Sequence, residues 1–191
     1  MKNIEIEIQV NIENSKQLLE FLDKNGKFIG EKHQIDEYFS PAHRNFLKPR
    51  PMHEWLRLRD SNGKYSINYK NWHFDDSGKS YHGDEYESKI EDLKQVKEIL
   101  EALDFKMCVE VDKLRKIWIY KDYEVAVDSV KNLGSFVEIE YKGKDDDVDP
   151  KKATEGMIAF LKGVGVGKIK RNYVGYPFQL LFPKEVKFEE Q

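Results

Sequence analysis

Charged residues two apart recur along the chain: Glu5/Glu7, Arg57/Arg59, Glu85/Glu87, Lys113/Arg115 and Glu138/Glu140. In an extended chain that spacing puts both members of a pair on one face. Taken singly, each pair is an ordinary solvated strand face, but the recurrence of such pairs on five strands points to faces that curl inward around a shared lumen. Unpaired buried charges cost on the order of several kcal/mol each, so a lumen of this kind makes sense where a charged ligand or metal completes the balance. With Asp128 and Lys70 included, seven carboxylates face five cations, and the surplus of two negative charges calls for a metal ion. Oxygen ligands without His or Cys at metal spacing select Mg2+ or Mn2+, which hold one or two carboxylates directly and leave other positions to water and phosphates. Arginine and lysine in the same lumen would hold those phosphates.

The elements that must position these side chains follow from periodicity. Ile4, Ile6, Ile8 and Val10 alternate with Glu5, Glu7, Gln9 and Asn11, which predicts a strand. A helix is expected from Ser15 to Asn25, with Gly26 as a left-handed cap. Phe28 to Phe39 reads as extended, and Pro41, Pro49 and Pro51 among basic residues predict an exposed loop over 40–54. Strands on either side of Asp60-Ser61-Asn62-Gly63 form a hairpin, and a short strand carries Glu85 and Glu87. Leu93, Val96, Ile99, Leu100 and Leu103 fall at helical spacing in a helix expected from about Ser88. A hairpin around Lys121-Asp122, a strand over 136–142, a helix capped by Asp149-Pro150 and one or two strands over 168–182 complete the chain. About eight strands and three helices predict an α+β domain, residues 1–191, whose sheet curls or closes.

Composition narrows the functional classes. A net charge of −3 and a pI near 6.0 argue against general electrostatic binding of nucleic acid. No long apolar run or signal-like N-terminus is present, so a cytoplasmic chain without membrane attachment is expected. The single cysteine, Cys108, excludes an intramolecular disulfide and a cysteine metal site. The chain is polar at 35% charged residues, yet its 13% aromatic content speaks against disorder.

The ordered set of motifs resembles the CYTH superfamily of triphosphate tunnel metalloenzymes. Glu5-Ile6-Glu7 is similar to the start of its E-x-E-x-K signature, Leu56-Arg57-Leu58-Arg59 to its L-R-x-R strand and Tyr69-Lys70 to its Y-K strand. Glu85/Glu87, Lys113-Leu114-Arg115, Asp128 and Leu133-Gly134 through Glu140 follow in the family's order. Gln34-Ile35-Asp36-Glu37-Tyr38-Phe39 resembles the CyaB-type class IV adenylyl cyclases more than thiamine triphosphatase. The resemblance implies a closed eight-stranded antiparallel barrel with helices outside and a substrate tunnel within.

It also implies a metal side of Glu5, Glu7, Asp128, Glu138 and Glu140, binding Mg2+ or Mn2+. Arg57, Arg59, Lys70, Glu85, Glu87, Lys113 and Arg115 would form the substrate side, and Glu5, Glu7, Lys70 and Arg115 the catalytic set. The partner would be a nucleoside or organic triphosphate, and the resemblance leaves room for a homodimer. The leading expectation is conversion of ATP to cyclic AMP and pyrophosphate. Triphosphate hydrolysis is the alternative enzyme activity, and a non-catalytic triphosphate-binding module is the third reading. That third reading arises from Gln9, which stands where the signature has lysine and can neither carry charge nor act as a base near neutral pH.

Other signals carry less. Gly163 to Lys168 is glycine-rich but follows a helix and lacks phosphate-loop spacing. Asp145, Asp146, Asp147 and Asp149 lack EF-hand spacing and read as a solvated loop ending in a cap. His43 and His53 stand either at the tunnel mouth or as plain loop residues, and Lys170, Arg171 and Tyr173 either at one tunnel end or on a surface strand.

Overall fold

The computed structural model describes residues 4–144 and 148–191, so Asp145, Asp146 and Asp147 lie outside the described residues. Most of the expected strands form, beginning with β1 (Ile4–Glu5) and β2 (Glu7–Ile12). Helix α1 (Ser15–Asn25) starts where the Asn14 side chain accepts from the Gln17 amide at 3.1 Å. Gly26 corrects one expectation: it is extended (φ −99°, ψ 164°), not left-handed. Glycine is required there by crowding, because a Cβ would lie 2.9 Å from the Leu22 carbonyl oxygen.

Strand β3 (Lys27–Pro41) leads into the proline-rich loop, where Phe46 and Met52 are buried, so that loop is anchored as well as basic. Strands β4 (Glu54–Ser61) and β5 (Lys64–Phe74) turn through Asn62 and Gly63, both with positive φ. Strand β6 (Ser80–Ile90) runs further than expected, and α2 (Leu93–Ala102) begins only after the Asp92 cap. Then come β7 (Phe105–Tyr120), β8 (Tyr123–Val130) and β9 (Gly134–Tyr141), with the expected turn at Lys121-Asp122. Helix α3 (Pro150–Val164) is capped by Asp149 and ends at left-handed Gly165, so the glycine-rich stretch is a connector. Residues 168–182 hold β10 (Ile169–Asn172) and, where strand was expected, the helix α4 (Tyr176–Leu181). A short β11 (Glu189–Glu190) follows.

The strands form one antiparallel sheet of eleven in the order β1-β6-β5-β4-β3-β7-β8-β9-β2-β10-β11. The ladder is open, which corrects the closed eight-stranded barrel. The N-terminal alternating segment breaks at Ile6: β1 pairs with β6 while β2 pairs with β9, and β10 and β11 extend the sheet beyond β2. That single segment thus joins β6, next to one edge of the sheet, to β9, with β5, β4, β3, β7 and β8 between them in the ladder order.

Side-chain parity sorts the two faces. Ile6, Ile8 and Val10 pack with Leu18 and Leu22 of α1 and with Met157 and Leu161 of α3. Phe39 and Leu58 pack with Leu100 of α2. Tyr38, Trp55, Val111 and Phe136 pack beneath Tyr176 and Phe178 of α4. The Ile8 and Leu58 clusters lie on the face opposite the charged pairs, whereas Tyr38, Trp55 and Tyr176 share the charged face and close one end of its lumen. No described helix is long and apolar enough to cross a membrane. Leu161 is fully buried between α3 and the sheet, so Leu161→Ala should lower the unfolding free energy by about 2–5 kcal/mol, read from the urea midpoint.

Candidate functional site

A cavity of about 230 Å3 collects the charged pairs from six neighbouring stretches of the sheet. Glu5, Glu7, Arg57, Arg59, Lys70, Glu85, Glu87, Lys113, Arg115, Glu138 and Glu140 all border it. Of the expected site residues only Asp128 does not. It lies behind the wall, 1% exposed, accepting from Arg115 Nε at 2.7 Å and Nη2 at 2.5 Å and from the Tyr176 hydroxyl at 2.8 Å. With both oxygens engaged, Asp128 acts as a brace for Arg115 and not as part of the acidic surface.

A second brace went unread in the sequence. Asp36 on β3 is fully buried and accepts from Arg59 Nε at 2.6 Å and Nη2 at 2.7 Å, with Arg57 Nη1 at 3.7 Å. Burial alone would raise its carboxyl, but Arg59 and Arg57 reverse the effect and hold it well below the usual carboxylate range. Lys113 Nζ sits between the braces, 4.0 Å from Asp36 and 3.8 Å from Asp128, and 5.0 Å over the Tyr176 ring. Burial, with Arg115 beside it, brings Lys113 down to about 8.

The acidic side has a different balance. Lys70 Nζ lies 2.5 Å from Glu5, 3.6 Å from Glu85 and 3.7 Å from Glu7. Glu85 also accepts from Asn68 Nδ2 at 2.6 Å. Glu7 stands opposite Glu140 in the β2–β9 register, so like charges face each other. Burial and then Glu5 drive Glu7 well above the usual carboxylate range. The same two causes raise Glu140 to about 7, although Lys142 lies 2.5 Å away. Glu138 belongs to the other side: burial would raise it, but Arg115 and Lys113 hold it far down, and it is paired directly with Arg115. Glu87 is exposed at the rim and accepts from Ser66 Oγ at 3.0 Å.

Gln9 is built into this division. Its Nε2 donates to Glu138 at 2.9 Å and its Oε1 accepts from Gln179 Nε2 of α4 at 2.6 Å. A lysine there would keep the first contact and lose the second. Sequence reasoning missed Asp36, Tyr176, Gln179, Glu124 and Lys142. The first had a signal, standing in the Gln34 to Phe39 motif quoted for the family resemblance. His43 and His53 do not border the cavity; they pack edge-on against Phe105 and Phe74.

Seven carboxylates and six cations border the cavity, and the two aspartates behind it raise the acid count to nine. The crowded corner of Glu5, Glu7 and Glu140 therefore fits a divalent cation, since three carboxylates stand together there and Glu5 adds to burial in raising both Glu7 and Glu140. Among the described residues no three acidic, His or Cys side chains are drawn together as a ready metal cage. That suits an ion that takes one or two carboxylates and completes its shell from substrate phosphate and water.

The Glu140 rise carries a stability signature. Its proton is bound more tightly in the folded than in the unfolded chain, so this part of the stability is present below about pH 4.5 and lost as pH rises toward 7. Glu140→Gln should match the parent near pH 4 and exceed it at pH 8 by about 1–3 kcal/mol in urea unfolding.

The chain is similar to known proteins over most of its length. Residues 1–173 match the CYTH domain family. A candidate adenylate cyclase of Methanocaldococcus jannaschii is 36% identical over 175 residues, spanning 90% of this chain and 97% of that one. A solved Pyrococcus horikoshii structure superposes with a TM-score of 0.76 at 28% identity, covering 95% of this chain and 99% of the other. A Hippeastrum protein described as a candidate adenylyl cyclase with dominant triphosphatase activity shares the fold at a TM-score of 0.63 and 17% identity, covering 94% of this chain and 95% of that one. The braced cations, the acidic corner and these matches lead to one assignment: the chain belongs to the CYTH family.

Proposed function

We propose that this chain is a divalent-metal-dependent enzyme that converts ATP to cyclic AMP and pyrophosphate in the central cavity, within a single domain of residues 1–191. The observation that carries the reading is the division of one cavity into a row of braced cations, Arg57, Arg59, Lys113 and Arg115, and an under-neutralised acidic corner. A triphosphate lying along the row would meet guanidinium groups already held in place, so little order would be lost on binding. Glu5, Glu7 and Glu140, with Glu138 beside them, would hold Mg2+ or Mn2+, whose charge would offset that of the triphosphate and of the leaving pyrophosphate.

In the cyclase reaction the ribose 3′ oxygen bonds to the α-phosphorus, the bond from that phosphorus to the pyrophosphate oxygen breaks, and the 3′ proton leaves. Arg115 and Lys70 would orient the phosphates on either side of the reacting centre. Lys113 is the cavity cation brought near neutrality, to about 8, so it is suited to exchanging a proton there. Hydrolysis is the second reading, favoured by the triphosphatase activity of the Hippeastrum relative; water would then replace the ribose hydroxyl as nucleophile in the same site.

Incubation with ATP and Mn2+ followed by phosphorus NMR separates the readings. Cyclic AMP with pyrophosphate supports the cyclase; ADP with phosphate, or AMP with pyrophosphate, supports hydrolysis. Unchanged ATP with preserved binding would replace both by a binding module.

Gln9→Lys tests whether the neutral amide belongs to a working site. Loss of the Gln179 contact and competition with a cation for Glu5 and Glu7 should lower the rate by roughly tenfold or more, on the scale of one hydrogen bond to a charged group. A rate that instead rises from near zero would mean that glutamine marks lost catalysis.

A further inference from the structure

Arg171 is a buried cation outside the central cavity and forms no ion pair among the described residues. It lies on β10 opposite Val10 of β2, on the side of the sheet that faces the helices and away from the charged lumen. Only 4% of it is exposed, and its Nε is buried without a hydrogen-bond partner among the described residues. Nη2 makes one long bond, 3.3 Å to the Ser80 carbonyl oxygen. The Tyr173 ring lies 4.5 Å from the guanidinium carbon and the Tyr81 ring 5.7 Å. Aromatic faces soften the cost of burying a guanidinium but take none of its N–H groups in a fork. An arginine held this way presents an unspent pair of donors to whatever oxyanion reaches it.

A ligand has room to reach it. Arg171 borders an outer groove of about 560 Å3 whose rim carries Lys79 before β6 and Lys151 and Lys162 on α3. Three acids, Glu155, Glu189 and Glu190, also border the groove against its four cations, and Glu189 is turned to other partners: it accepts from Lys79 Nζ at 2.7 Å and from the Tyr173 hydroxyl at 3.0 Å. None of Arg57, Arg59, Lys70, Lys113 and Arg115 borders this groove. We propose that the groove is a second anion site, which takes a phosphate or pyrophosphate group on Arg171 with Lys151 and Lys162 as its outer contacts.

Binding of inorganic pyrophosphate, followed by calorimetry and by the arginine Nε–Hε resonances of the metal-free protein, tests this without turnover and so independently of the activity assigned to the central cavity. The expected result is a class of sites that shifts the Arg171 resonance, persists when tripolyphosphate saturates the central cavity, and weakens at least tenfold in Arg171→Gln. Lys151→Ala/Lys162→Ala, on the exposed face of α3, should weaken the same class three- to tenfold; this variant decides the matter if Arg171→Gln fails to fold. Pyrophosphate that leaves the Arg171 resonance unmoved, is displaced completely by tripolyphosphate and is indifferent to the lysine changes would overturn the proposal.

Discussion

The site depends on two buried aspartates that keep four cations from dispersing. Asp36 grips Arg59 and draws in Arg57, Asp128 grips Arg115, and Lys113 stands between the two. Side chains as long as arginine ordinarily sample many rotamers, and like charges in one cavity would splay them further. A bidentate carboxylate behind Arg59 and another behind Arg115 remove that freedom before any ligand arrives, and the same two aspartates draw in Arg57 and Lys113 at longer range. Breaking either pair would leave an uncompensated buried charge, so the braces serve the fold and the site at once. The Tyr176 hydroxyl on Asp128 extends this support to α4.

The acidic side is built on the opposite principle. Where the cations are matched from behind, Glu7 and Glu140 are set face to face by strand register, with Lys70 and Lys142 as their partial relief. The protein thus keeps one wall electrostatically complete and the other incomplete. Stability is spent on the second wall, in the way functional sites commonly run against local optimisation.

Much of this was legible in the sequence because it is local. Period-two pairs report their own face, and Asn62-Gly63, Lys121-Asp122 and Asp149-Pro150 report their own turns and cap. What escaped was set by distant partners. Asp36 reads as one more polar residue until Arg59 is placed opposite it across β3 and β4. The break at Ile6 is invisible in an unbroken alternation, since it reflects two different neighbours, β6 and β9, claiming successive residues. Tyr176 to Leu181 is too short for helical periodicity to declare itself, and its packing on Phe136 and Asp128 decides the matter. Asp128 was expected on the metal side of the lumen, but its partners turn it away toward Arg115 and Tyr176.

The hydrogen bond between Gln9 and Gln179 joins residues 170 positions apart, and this has a bearing on how the molecule comes to be made. Contacts of such separation are slow to form, because loop closure must precede any reward from the contact. During synthesis the first strand therefore leaves the ribosome long before the helix that completes its surroundings exists. Until α4 emerges, Asp128 lacks its tyrosine and Gln9 its amide partner, while the acidic strand end is already present. A chain without α4 would carry the acidic strand ends but lack the hydroxyl and the amide that complete the pocket.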